Sequence, residues 1–109
     1  MKLVPAYVDP GSAEQRGRRR DRTDLWAIMR QQQEPNEAIR IVDLSTHGCG
    51  FRSRRTLPAG RRVWLTLPGI ETWAATVAWY DGGKGGLRFE RPLDAATAIR
   101  LAARGEEGR

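Results

Sequence analysis

Apolar and polar residues alternate along most of this chain with a period of two, the spacing of half-buried strands. Between residues 24 and 31, Leu25, Ala27 and Met29 fall on one face and Trp26 and Ile28 on the other, predicting a first strand. A polar loop broken by Pro35 follows, and residues 37–45 predict a second strand. There Ile39 and Ile41 share a face with Asp43, opposite Arg40, Val42 and Leu44. Gly48 and Gly50 permit a sharp turn into a third strand ending near Arg54. Val63, Leu65 and Leu67 alternate with Trp64 and Thr66 in a fourth, which Pro68-Gly69 stops. A fifth covers Glu71 to Tyr80, and Leu87 and Phe89 mark a sixth beyond the glycine-rich turn 81–86.

Six short strands separated by turn residues predict an all-β fold, a sandwich or closed barrel; closure removes the unpaired edges that so small a sheet would expose. From Pro92 onward the period changes to a helical one, with Leu93, Ala96, Ile99 and Ala103 at helical intervals. A short C-terminal helix is expected, started by Asp94 and ended by Gly105. The organisation predicted is a flexible tail over 1–15, a barrel domain over 16–92 led by an arginine arm at 16–22, and a helix and tail over 93–109. The tryptophans read as core, with one near Asp43 available as a base-stacking alternative.

Charge changes this picture at one place. The formal charge is +6, and among 19 cations only Lys2 and Lys84 are lysines. Guanidinium forks grip phosphates and guanine edges through paired bonds, which ammonium does not. A codon bias toward Arg accounts for about half of the excess, and the placement of the arginines is more informative than their number. Residues 16–22 hold five Arg against Asp21, a segment expected to stay loose until a counter-charge orders it. Arg52, Arg54, Arg55, Arg61 and Arg62 read as a solvated edge that discourages strand pairing and helps attract a dianion.

Other chemistries are poorly supplied. The single Cys49 forms no internal disulfide, and with the single His47 it falls short of a zinc ligand set; both read as turn and packing residues. No catalytic residue is assigned, because no nucleophile-base pair is in evidence, and no metal or cofactor is called for. The first ten residues lack the apolar run of a signal peptide, and no window approaches a membrane span, so a cytoplasmic protein without membrane contact is expected.

The turn Asp43-Leu44-Ser45-Thr46-His47-Gly48, preceded by the arginine arm, resembles the PilZ domain, the bacterial receptor module for cyclic diguanylate. In that family an RxxxR motif is followed, roughly twenty to thirty residues on, by DxSxxG. Arg18 and Arg22 fit the first motif; Asp43, Ser45 and Gly48 fit the second. Arg16 with Arg20 also satisfies RxxxR, and Arg19 neighbours both; Arg18 and Arg22 are preferred because the family's second arginine directly precedes its first strand. Asp21 inside the motif departs from the family.

The resemblance covers roughly residues 16–92 and includes the closing Gly-Gly-Leu-Arg-Phe-Glu. It implies a six-stranded antiparallel barrel and a non-enzymatic receptor for cyclic diguanylate. Arg18 and Arg22 would wrap the ligand, Asp43 and Ser45 would bond a guanine, Gly48 would keep the turn clear, and an unidentified downstream protein would read the complex. Alternatives are a PilZ-type adaptor that works by protein contact without ligand, and a small basic barrel binding single-stranded nucleic acid. The strands lack the evenly spaced exposed aromatics that the latter uses. Asp43 and Ser45 also admit a purely local role, bracing the junction between strand and turn.

Overall fold

The computed structural model describes residues 21–107, which form six antiparallel strands closed into a barrel and one helix. The strands are β1 (Asp21–Gln31), β2 (Glu37–Leu44), β3 (Gly48–Arg52), β4 (Arg62–Thr66), β5 (Thr72–Asp81) and β6 (Lys84–Phe89), with helix α1 at Ala95–Glu107. Around the barrel the order is β1-β2-β3-β6-β5-β4, and β4 pairs back onto β1. The expected all-β barrel with a C-terminal helix is thus observed.

Inward positions are those the alternation marks. Leu25, Ala27, Met29, Ile39, Ile41, Val63, Leu65, Ala75 and Val77 are all buried and fill the lumen with Phe51 and Leu87. Between β4 and β5, Pro68-Gly69 makes a tight turn with Gly69 at φ 79° and the Ile70 amide donating to the Leu67 carbonyl (3.3 Å), as a type II turn requires. Gly82 and Gly83 both have positive φ and join β5 to β6 in a two-residue hairpin of the kind that matches strand twist.

Several boundaries and faces differ from the sequence expectation. β1 begins at Asp21, so Arg22 lies inside the strand rather than ahead of it. β3 stops at Arg52, short of Arg54, while β6 begins at Lys84 and takes Gly85 and Gly86 out of the turn. The pairing of β2 with β3 slips between Ile41 and Asp43. A bulge of this kind adds one residue to one strand and reverses the alternation beyond it. Leu44 therefore turns inward, 1% exposed, and Asp43 leaves the Ile39–Ile41 face for the outer one. A second slip between Val77 and Trp79 does the same on β5 and lets Tyr80 stack on Phe51, ring centres 6.4 Å apart.

The tryptophans are the largest correction: none is fully buried, Trp26, Trp64 and Trp79 lie on the outer face, and only Trp73, opposite Leu65, packs in part against the core. Trp64 is held between the guanidinium groups of Arg30 (4.5 Å) and Arg62 (5.1 Å), Trp73 lies under Arg91 (3.9 Å), and Trp26 has Arg40 at 5.3 Å. Nor do the arginines after β3 guard an edge, since closure leaves none. Arg55 pairs with Glu34 and Glu37, Arg61 donates to the Gln31 amide oxygen, and Arg62 grips Glu90 with two bonds.

Asp94 caps α1, its carboxylate accepting the Thr97 amide (3.2 Å). The helix packs along β1 and continues through Gly105 rather than ending there. That glycine marks a close approach: a Cβ on it would stand 2.0 Å from the Thr23 hydroxyl oxygen. The buried Thr23 hydroxyl donates to the Ala102 carbonyl at 2.8 Å, fixing the helix to the start of β1.

Candidate functional site

The turn joining β2 to β3 is braced from within. The Ser45 amide donates to the Gly48 carbonyl (2.9 Å), and the Ser45 hydroxyl accepts the His47 amide (3.2 Å) and donates to the Gly48 carbonyl (3.4 Å). Ser45 is 2% exposed, so its hydroxyl serves the turn. Carbonyls on the turn's far side anchor it to the next elements: His47 accepts the Phe89 amide and Thr46 the Leu93 amide, each at 2.8 Å. Gly48 keeps clear the approach of β6, because a Cβ there would lie 2.2 Å from the Leu87 carbonyl oxygen. What demands glycine at this point is a neighbouring backbone.

Held by this turn, the Asp43 carboxylate lies over β3 and accepts the Gly50 amide at 3.0 Å. A Cβ on Gly50 would come within 2.6 Å of its Oδ2, so only glycine leaves the carboxylate room.

Strand register extends this pair into a row. Arg22 on β1 stands opposite Asp43 on β2, Asp43 opposite Gly50 on β3, Gly50 opposite Gly86 on β6, and Gly86 opposite Trp79 on β5. Five strands at the usual inter-strand spacing make a row about 20 Å long. Its third and fourth positions, Gly50 and Gly86, carry no side chains; the Asp43 carboxylate covers the first of these and the Trp79 indole the second, with Nε1 2.4 Å from where a Gly86 Cβ would be. Basic residues flank the row on the outer face: Arg88 opposite Gly48 on one side, and Arg52 opposite Lys84 on the other. Arg22, Arg52, Lys84 and Arg88 are exposed, and none pairs with a carboxylate among the described residues.

Of the residues singled out from the sequence, Arg22, Asp43, Ser45 and Gly48 are brought together on two adjacent strands and the turn between β2 and β3. Arg16, Arg18, Arg19 and Arg20 lie outside the described residues. Gly50, Gly86, Trp79 and Arg88 were missed. The signal available was Gly48-x-Gly50 and the pair Gly85-Gly86, both read as turn because the strand partners that need them are distant in sequence. Among the described residues no group of three or more His, Cys, Asp or Glu is arranged to hold a metal ion. No helix among them is long and apolar enough to cross a membrane.

A closed six-stranded barrel that sets Arg22 opposite Asp43 on its outer wall offers an open surface rather than an enclosed pocket. Comparison with family models identifies it further: residues 14–104 match the PilZ domain, and the chain belongs to that family of cyclic diguanylate receptor domains. Domains of the family are generally non-enzymatic binders of this dinucleotide. Comparison with curated proteins returns no match.

Proposed function

We propose that this protein is a non-enzymatic effector that binds cyclic diguanylate on the outer wall of the barrel at Arg22, Asp43 and the turn Ser45–Gly48. The observation that carries the reading is the register that sets Arg22 opposite Asp43 beside the paired glycines Gly50 and Gly86. Cyclic diguanylate offers two phosphates and two guanines. A guanidinium fork suits a phosphate or the O6 and N7 edge of guanine, and a carboxylate suits its N1–H and N2–H donors. Such a ligand needs both groups within one molecule's span, as adjacent strands provide. Arg88, Arg52 and Lys84 add positive potential around the site. Ser45 acts from within the turn, aiming Asp43, and Gly48 admits β6.

In this reading the arginine arm 16–22, with Arg18 completing the RxxxR spacing, folds over the ligand, and the closed arm presents a new surface to a downstream protein. Ordering the arm loses chain entropy that charge-assisted bonds outweigh, so affinity falls as salt rises.

Titration calorimetry with cyclic diguanylate on wild type, Arg22→Ala and Asp43→Ala provides the test. Wild type is expected to saturate at or below tens of micromolar, and each variant to bind at least tenfold more weakly, about 1.4 kcal/mol. Absence of heat and of saturation at those concentrations would sink the reading. The engagement of Ser45 and Asp43 within the turn favours as second reading a ligand-independent adaptor. It predicts that Asp43→Ala loses stability while no nucleotide binds to either protein.

A further inference from the structure

Three of the four tryptophans are covered: Trp64 and Trp73 by arginines, and Trp79 by its seat over Gly86. Trp26 is not. It stands 58% exposed on the outer face of β1, with Ile28, 42% exposed, two residues on along the same face. Both border a groove of about 560 Å³ whose opposite wall is the turn Leu67–Glu71, with Ile70 packed against the core beneath. The same turn, through Pro68, Gly69 and Ile70, walls a second groove of about 510 Å³ on its other side. That one is closed by α1, from which Arg100 and Arg104 project one helical turn apart.

The two grooves form one surface with two chemistries. One side is aromatic and aliphatic. The other is cationic, and neither Arg100 nor Arg104 has a carboxylate partner among the described residues, in contrast to Arg40, Arg55, Arg62 and Arg91. Exposed apolar patches bordered by charge mark protein contacts more often than chance, and the charge here selects the partner. The chain's own leading segment is strongly basic over residues 16–22 and would be repelled by it. A second copy would bring the same two guanidinium groups to a symmetric contact. An acidic amphipathic segment meets both halves at once.

We infer that the face formed by Trp26, Ile28, Ile70, Arg100 and Arg104 docks an acidic amphipathic segment of a partner protein, its apolar stripe on the β1 groove and its carboxylates on the helix arginines. The face shares β1 with the Arg22–Asp43 row but none of the row's residues, and its test needs no nucleotide.

The probe is a fluorescein-labelled synthetic helix-forming peptide with Leu on one stripe and Glu on the others. A version with Lys in place of Glu and a scrambled version of the acidic peptide accompany it. Anisotropy titration of the full chain is expected to give saturable binding of the acidic peptide, with the lysine and scrambled versions at least tenfold weaker. Trp26→Ser, and separately the double variant Arg100→Glu/Arg104→Glu, are expected to weaken the acidic peptide at least tenfold. The double variant should in turn gain affinity for the lysine peptide. Equal binding of all three peptides, or no effect of Trp26→Ser, overturns the proposal. So does a dimer in light scattering that Trp26→Ser abolishes, which assigns the face to a second copy. A tenfold gain in peptide affinity on deleting residues 1–20 would overturn it as well, by making the leading segment the occupant.

Discussion

Two walls of this barrel use the same residue in opposite ways. On the wall built by β4 and β5, arginine closes the surface: Arg30 and Arg62 clasp Trp64, Arg91 covers Trp73, and the guanidinium groups of Arg62 and Arg91 then pair with Glu90 and Glu71. On the wall built by β1, β2, β3 and β6, Arg22, Arg52 and Arg88 stand without carboxylate partners around a strip floored by Gly50 and Gly86. An arginine whose charge and flat face are both occupied adds stability and attracts nothing. One left unpaired beside a glycine floor costs some self-repulsion and draws an anion. Net charge alone would not separate the two; register does.

The largest effect expected from breaking this contrast is on the strip. Gly48→Ala forces a methyl group against the Leu87 carbonyl, a backbone atom that moves only with β6. Urea unfolding should show a loss of about 3 kcal/mol, as a lowered midpoint at nearly constant slope. The nucleotide titration should weaken with it, since the same turn holds Asp43. On the opposite wall, Trp64→Ala removes two cation–π contacts and part of a hydrophobic side chain, for an expected loss of about 1–2 kcal/mol. Here nucleotide binding should be unchanged; a tenfold drop would show that the two walls are not separate.

The smallest effect sits at Arg62 and Glu90. Its hydrogen bond to Arg62 holds the Glu90 carboxyl below the usual range, and the bond to Glu90 raises Arg62 above its own. A depressed carboxyl contributes stability that is present above its unfolded value, about 4.3, and disappears as pH falls through the folded one. The raised arginine stays charged throughout. The stability difference between wild type and Glu90→Gln, followed by thermal melts, should therefore be small near neutrality, shrink further at high salt, and vanish in acid.

Much of the barrel was legible because a period of two is a local property. Leu25, Ala27 and Met29 need no knowledge of β4 to be assigned inward. The bulges were not legible, since an extra residue at Val42 or Ala78 shows only against the partner strand, and each reversed the faces assigned beyond it. The tryptophans misled for a related reason. Indole size argues for burial, but Arg30 opposite Trp64 and Arg40 opposite Trp26 are cross-strand pairs that sequence distance conceals. At the site, Asp43, Ser45 and Gly48 were found because they lie on one short turn. Gly50 and Gly86 serve the same surface from strands whose pairing appears only once the barrel closes.

Thr23 follows Arg22 directly, and its hydroxyl is bolted to the carbonyl of Ala102 while Gly105 lets the last helix lie flush against it. A load taken up at the front of β1 is thus passed at once to the rear of the chain, without crossing the lumen. Strand and helix behave as one strap, and whatever grips the barrel at its leading edge also holds the helix on which Arg100 and Arg104 are mounted.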